Sequence, residues 1–219
     1  MDPHPAPPPS NPFELSGGDP CLDFANTWGD RGRPETDQLQ TYPHLLAFVR
    51  QAGLQDAGTA EGLAALARAE APAAEAALRT ARAFREALYG LFSARAQGRD
   101  LAPGDLACLN RVLREALSNL GLACEGTAPA WCWRGEARHL TSPLWPLARA
   151  AAELLTREPP APVRECGGSQ CTWLFLDFSR TRSRRWCSMT SCGNREKARR
   201  HYHRSRGQAP GRGAGPASG

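Results

Sequence analysis

Four cysteines near the C-terminus constrain the fold more than any other feature of this sequence. Four residues separate Cys166 from Cys171, another four separate Cys187 from Cys192, and fifteen residues lie between the two pairs. Two close pairs of thiols are typical of a tetrahedral zinc site, in which each pair supplies two corners. Iron–sulfur clusters and disulfides are the alternatives, and nothing in the sequence indicates the oxidising compartment that disulfides need. The spacing therefore favours one structural zinc ion, because four sulfur ligands leave no open position for a catalytic water.

The segment that holds these cysteines, residues 163–206, is short for an independent domain. Chains of this length rarely bury enough apolar surface to fold alone, so metal binding is expected to contribute to folding. We expect six large apolar residues to form its core: Trp173, Leu174, Phe175, Leu176, Phe178 and Trp186.

Charge is distributed unevenly along the chain. Residues 1–162 contain 15 Lys/Arg and 19 Asp/Glu, whereas residues 163–206 contain 11 Lys/Arg and 3 Asp/Glu. This asymmetry predicts a polyanionic partner for the C-terminal segment alone. The residues expected to contact nucleic acid are Arg180, Arg182, Arg184, Arg185, Asn194, Arg195, Lys197, Arg199, Arg200, His203 and Arg204.

The residues after the last cysteine are predicted to form a basic helix that enters the major groove of DNA. Asn194 suits its N-cap, and Asn194 or Arg195 would then read base edges. RNA is the alternative partner, since Trp173, Trp186 and Tyr202 would stack on bases if they were exposed; we expect both tryptophans to be interior. A solvated basic face without a partner is the third interpretation.

The rest of the chain is dominated by helical periodicity. The strongest pattern covers residues 73–97, where Phe84, Leu88, Leu91 and Phe92 share one face. Two short apolar runs, 120–125 and 130–134, flank a turn and predict a β-hairpin. The predicted fold is mostly α with a small β-hairpin (α+β), a helical N-terminal domain followed by a small treble-clef- or ribbon-like zinc finger. The predicted boundaries are a disordered Pro-rich tail (1–12), the helical domain (13–157), a linker (158–163), the finger (164–206) and a second disordered tail (207–219).

The helical domain contains no recognisable catalytic constellation, so we do not expect an enzyme. A zinc-dependent enzyme would have to use Glu165, Asp177 or Glu196, the acidic residues of the finger. Asp23 and Asn26 are three residues apart and are candidates for a small-molecule effector site, with capping and buried hydrogen bonds as the alternative interpretation. The sequence shows neither a secretory signal nor a long apolar run, which favours a cytoplasmic protein without a membrane partner.

Several segments resemble known families. Residues 187–195 (CSMTSCGNR), together with 173–179 and 184–189, resemble the CGNR zinc finger, a bacterial module. Residues 17–19 and 21–27 resemble the start of the ABATE domain, which usually precedes that finger in proteins described as stress-induced transcription regulators. The resemblance implies zinc at the four cysteines and DNA binding by the finger. One departure is Phe178, where a small residue is more usual.

A regulator with one finger has little surface for DNA. Two fingers in a dimer would define a half-site spacing and raise the affinity. We therefore expect a homodimer formed through the helical domain, associated with the nucleoid.

Overall fold

The computed structural model describes residues 13–126 and 128–207. The predicted tails lie outside these ranges, except for Gly207, which ends the last helix. Disorder of residues 1–12 and 208–219 therefore stays a prediction. Between the tails the chain is mostly helical and has two small antiparallel hairpins, which confirms the predicted α+β class. Within the described ranges, no helix is both long and apolar enough to cross a membrane.

The described part of the chain contains seven α-helices and four β-strands. The helices are α1 (Pro20–Ala25), α2 (Tyr42–Gln51), α3 (Ala57–Ala69), α4 (Ala71–Ala96), α5 (Pro103–Asn119), α6 (Trp145–Leu155) and α7 (Asn194–Gly207). The strands are β1 (Leu120–Glu125), β2 (Ala128–Trp133), β3 (Val163–Glu165) and β4 (Leu174–Leu176). Short 3₁₀ turns cover Pro34–Thr36, Glu136–Arg138 and Ser142–Leu144, and a π-helical turn, Met189–Gly193, leads directly into α7.

The longest helix, α4, is the central element of the body. Phe84, Leu88, Leu91 and Phe92 are buried along one face, as the periodicity predicts. Helices α1, α2, α3 and α5 all pack against it. The ring centroid of Phe24, from α1, lies 6.2 Å from that of Phe84. The body is therefore a helical layer built around α4.

The first hairpin, β1–β2, has the predicted position, and β2 begins at Ala128, two residues earlier than expected. Gly126 has a φ of 66° in the turn, a left-handed conformation that glycine adopts without a steric penalty. At the other end of the hairpin, the rings of Trp133 and Trp145 lie 6.0 Å apart. This contact attaches the hairpin to α6.

The second hairpin, β3–β4, comes from the cysteine-rich segment, yet its apolar residues join the core of the body. Val163, Leu174 and Leu176 belong to the same buried cluster as the apolar faces of the helices. Strand β3 packs on α4, and β4 packs on α1 and α4. The expectation of a separate finger core is wrong for Leu174 and Leu176, because the body offers them a larger apolar surface. The predicted domain boundaries stay a prediction, since a shared core does not mark a boundary.

Candidate metal centre and nucleic-acid interface

The four cysteines come together from separate turns of the chain. Cys166 directly follows β3, and Cys171 lies in the loop that leads to β4. Cys187 follows the arginine loop (residues 179–185), and Cys192 lies in the π-helical turn before α7. Antiparallel pairing of β3 with β4 brings the first two cysteines together, and the arginine loop returns the chain with the second two. Cys171 is half-buried, and the other three are buried.

The distances within this cluster fit a tetrahedral ion. All four Sγ atoms lie within 4.8 Å of one another. The Sγ atom of Cys187 is 3.8 Å from that of Cys171 and 3.6 Å from that of Cys192. Sulfurs placed about 2.3 Å from a zinc ion at tetrahedral angles are about 3.8 Å apart. The space between the sulfurs therefore has the dimensions of one zinc site.

The four thiols are close enough to shift one another's pKa. Hydrogen bonds from the thiols of Cys171 and Cys187, together with the backbone N–H of Cys187, lower the pKa of Cys166. The hydrogen bond with Cys166 raises the pKa of both Cys171 and Cys187. Without a metal, the protein therefore favours the thiolate form of one cysteine and disfavours ionisation of the neighbouring thiols. A bound dication reverses this preference, since it attracts every thiolate that coordinates it.

Aromatic rings and one arginine enclose the cluster. Phe175 is buried among the cysteines, and Trp173 and Trp186 pack against the cluster but are only partly buried. The guanidinium carbon of Arg184 lies 4.4 Å from the ring centroid of Phe175. Its nitrogens donate to the carbonyls of Trp186, at 2.9 Å, and of Cys187. Arg184, which we expected to contact nucleic acid, is thus occupied in holding the cluster.

The chain approaches α7 differently from the prediction. Ser188 is extended, and its hydroxyl accepts the backbone N–H of Ser191 at the start of the π-helical turn. Asn194 already has helical dihedral angles, φ −69° and ψ −39°, so the prediction that Asn194 is the N-cap is wrong. Helical structure begins five residues earlier because Ser188 supplies the cap, and this turn carries Cys192 to the metal. The amide of Asn194 donates to the carbonyl of Thr190 at 3.3 Å and is exposed.

The finger is hydrogen-bonded to the body along the free edge of β4. The backbone N–H of Thr172 donates to the carbonyl of Gly29 at 3.1 Å, and that of Leu176 donates to Gly17 at 2.8 Å. Between these bonds, both polar groups of Leu174 are paired with the body. The edge that does not face β3 is therefore closed by the segment 17–29.

Asn26 makes the central contact of this edge. Its Oδ1 accepts the N–H of Leu174 at 2.8 Å, and its Nδ2 donates to the carbonyl of Leu174 at 2.9 Å. Asp23 accepts the N–H of Gly17 at 2.7 Å, and burial raises its pKa to about 6. These bonds agree with the structural interpretation of the pair; effector binding at Asp23 and Asn26 stays a prediction.

A second polar contact joins α4 to the finger through Glu165. Tyr89, Ser93 and Gln97 all donate to its carboxylate, at 2.7 to 3.2 Å. Burial, together with the hydrogen bond to Glu165, raises the pKa of Tyr89 to about 12, so the phenol stays protonated as a donor. Arg31 lies over the Tyr89 ring, 3.6 Å from its centroid. Glu165 is therefore engaged in attaching the finger to the body.

The remaining predicted contact residues divide into two groups. Among the predicted contact residues whose side chains the structure describes, Arg180, Arg182, Arg195 and Lys197 are exposed and make no hydrogen bond or ion pair. Arg185 is exposed above the ring of Trp186, at 5.4 Å. The structure thus places cations both on the arginine loop and on α7.

The other cations of α7 help to anchor the helix. Glu196 accepts the N–H and hydroxyl of Ser169, at 3.1 and 2.8 Å. Arg199 contacts the same hydroxyl, and Arg200 donates to the carbonyl of Glu196. Ala198 and Tyr202 are both exposed on α7. His203 and Arg204 lie on α7, and the prediction for their side chains falls outside what the structure describes.

A four-cysteine metal module seated on a helical body defines this protein as a zinc finger protein. Residues 163–205 match the family model of the CGNR zinc finger, and the cysteine cluster accordingly holds one structural zinc ion. Residues 18–158 match the ABATE model, whose description is "Putative stress-induced transcription regulator". That match covers more than half of the chain, which therefore belongs to the ABATE family, and the predicted resemblance is confirmed. A search of curated proteins found no match.

Sequence reasoning missed the residues that join the two segments. Tyr89 and Ser93 of α4 and Gln97, which caps this helix, recur at intervals of four, and this polar stripe beside a buried apolar face was the available signal. Asn26 was noticed, but its partner lies 148 positions away along the chain. No local pattern connects the two.

Proposed function

We propose that this protein is a DNA-binding transcription regulator in which the zinc finger, with the arginine loop and α7, contacts DNA. One observation carries the proposal: exposed cations without partners stand on a module that zinc and the body hold rigid. Residues 163–206 contain 11 Lys/Arg against 3 Asp/Glu. A preorganised cationic surface binds phosphates by releasing counterions. The family's description as a regulator supports the same role, which would place the protein at the nucleoid.

The zinc is assigned a structural role in this proposal. All four ligands are thiolates, so the ion has no open position at which water could be activated. Glu165 and Asp177 are both engaged in hydrogen bonds, and Glu196 bonds Ser169. These contacts support a binding function and weigh against catalysis.

The test is a fluorescence-anisotropy titration of random duplex DNA at several salt concentrations with the zinc-loaded full chain. Replacing Arg180 and Arg182 together with glutamine removes two phosphate contacts. Each contact contributes about 0.9 to the slope of log affinity against log salt, so the slope should fall by about 1.8. A matched control replaces Arg50 and Arg68, two exposed arginines of the body.

An unchanged slope in the control and a reduced slope in the loop variant would support the proposal. Absence of binding by the zinc-loaded wild type, even at low salt, would overturn it. RNA is the second candidate partner, favoured by Tyr202, which is 51% exposed on the basic helix. Tighter binding to single-stranded RNA than to duplex DNA in the same assay would favour that candidate.

The proposed active form is a homodimer. Leu122 and Trp131 are direct cross-strand partners on the β1–β2 hairpin, and they are 59% and 61% exposed. Two adjacent apolar side chains on a two-stranded ribbon form a larger apolar patch than isolated surface residues do. Neither strand contains a lysine or an arginine, and Arg149 of α6 lies over the Trp131 ring, its guanidinium carbon 5.5 Å from the ring centroid. A second copy would bury the patch and bring a second finger to the DNA.

A further inference from the structure

Phe178 has an unusual position for an aromatic residue of a small module. The sequence places it in the expected core of the finger, and this prediction is wrong. Its side chain is 66% exposed, the largest fraction among the exposed large hydrophobic residues of the described chain. The preceding residues Leu176 and Asp177 are buried. The chain leaves β4 at this point, so the ring is directed away from the core that its neighbours enter.

The backbone on both sides of Phe178 is held in place. Asp177 is fully buried, and its carboxylate accepts the backbone N–H groups of Ser179 and Arg184, at 3.1 and 3.0 Å. Arg164 donates to the carbonyl of Arg182 at 2.8 Å, which closes the arginine loop from the other side. The loop is therefore a preorganised structure. Phe178 stands at the root of this loop, between Asp177 and Ser179, which one of these bonds joins.

A cavity of about 460 Å³ lies beside the ring. Pro159 and Pro160 contribute apolar walls, and Arg180 and Arg182 line it with exposed cations. Two acidic residues, Glu158 and Asp177, also line the cavity. The carboxylate of Asp177 is already bonded to the loop. The surface thus combines a flat exposed ring with free positive charge.

This combination matches the chemistry of a nucleobase attached to its phosphates. Aromatic side chains stack on any base that has left its neighbour, while adjacent arginines bind the flanking phosphates. Apolar side chains inserted at a base step also stabilise locally unstacked DNA. A basic surface that only contacts solvent would not need an exposed aromatic ring on backbone held in place beside its arginines.

We propose that Phe178 stacks on an unstacked nucleobase of the bound DNA, with Arg180 and Arg182 on the neighbouring phosphates. The inference rests on the proposed function and adds a base-contacting element separate from α7. It implies that the finger prefers DNA containing an unpaired base, because such a base is already partly unstacked and the deformation is then smaller.

The experiment compares the zinc-loaded full chain with Phe178→Ala and Phe178→Trp on a duplex that contains one bulged 2-aminopurine. Removing the stacking side chain should weaken binding by about tenfold or more, with an unchanged salt slope because no charge is lost. Tryptophan should restore the affinity. Stacking should quench 2-aminopurine fluorescence in the wild type but not in the alanine variant. Leu15→Ala, which truncates another exposed hydrophobic residue, should change neither signal.

The outcomes separate this inference from the proposed function. Salt-dependent binding that is equal for wild type and Phe178→Ala would overturn the inference and leave DNA binding intact. Loss of affinity accompanied by a reduced salt slope, or without rescue by tryptophan, would also overturn it, because either result indicates a change in the loop. If the wild type does not bind any DNA, the proposed function fails and this inference fails with it.

Discussion

Replacing Asn26 with alanine should strongly destabilise the protein although Asn26 lies 148 positions from its partner. The side chain is 2% exposed and pairs with both the N–H and the carbonyl of Leu174. Alanine leaves these two backbone groups unpaired in an apolar core. Each such group costs about 1–3 kcal/mol, so the free energy of unfolding should fall by about 2–6 kcal/mol. A typical domain has about 5–15 kcal/mol in total.

Urea denaturation of the zinc-loaded full chain, followed by far-ultraviolet circular dichroism, measures this loss. Asn110→Ala is the matched control, because Asn110 is exposed on α5 and surface substitutions usually change stability by less than about 0.5 kcal/mol. Zinc content should be measured at each urea concentration. We expect the variant to release zinc at a lower urea concentration than the wild type, because the finger loses its central attachment.

A loss of less than about 1 kcal/mol, no greater than one ordinary hydrogen bond, would refute the reasoning. It would mean that water reaches Leu174 and pairs its backbone groups, which requires the edge of β4 to be open. A large loss of stability without earlier zinc release would refute the predicted link between Asn26 and zinc retention, because the finger would then keep its structure independently of Asn26.

Three further predictions follow from the metal site, a buried carboxylate and the exposed hairpin. Cys171→Ser should lower the zinc content below one ion per chain and lower the thermal midpoint, as measured by metal analysis and calorimetry; full zinc retention would contradict the four-thiolate site. The pKa of Asp23 is raised to about 6, so its buried charge reduces stability above pH 6, and this penalty disappears as the pH falls. The unfolding free energy of the wild type relative to Asp23→Asn should therefore increase from pH 7 to pH 5, and a constant difference would contradict the assignment. Light scattering should show a dimer for the wild type and a monomer for the Leu122→Ala, Trp131→Ala double variant; a monomeric wild type would contradict the proposed interface.

Features encoded over a few neighbouring residues were predictable. The spacing of the cysteines, the periodicity of α4 and the turn at Gly126 each depend on short stretches of chain. The tetrahedral chemistry of zinc adds a constraint that does not depend on the rest of the fold. These features therefore match the structure closely, even where an element begins two residues early.

Features that depend on tertiary packing were not predictable. Leu174, Leu176 and Phe178 are similar in hydrophobicity, and only the position of the body decides that the first two are buried and the third is exposed. Arg184 has the same local charge pattern as Arg182, but its side chain faces the metal cluster. The direction of a side chain at the end of a strand is decided by contacts that no sequence window contains.

The closed edge of β4 has a consequence for how such proteins can be rearranged. A finger transplanted alone would present three unpaired backbone donors, at Thr172, Leu174 and Leu176, along an open strand edge. Open edges of this kind invite pairing with other chains. The body left behind would have a gap in its core where Val163 and its neighbours pack. Recombination would therefore have to exchange the finger and the body as one unit.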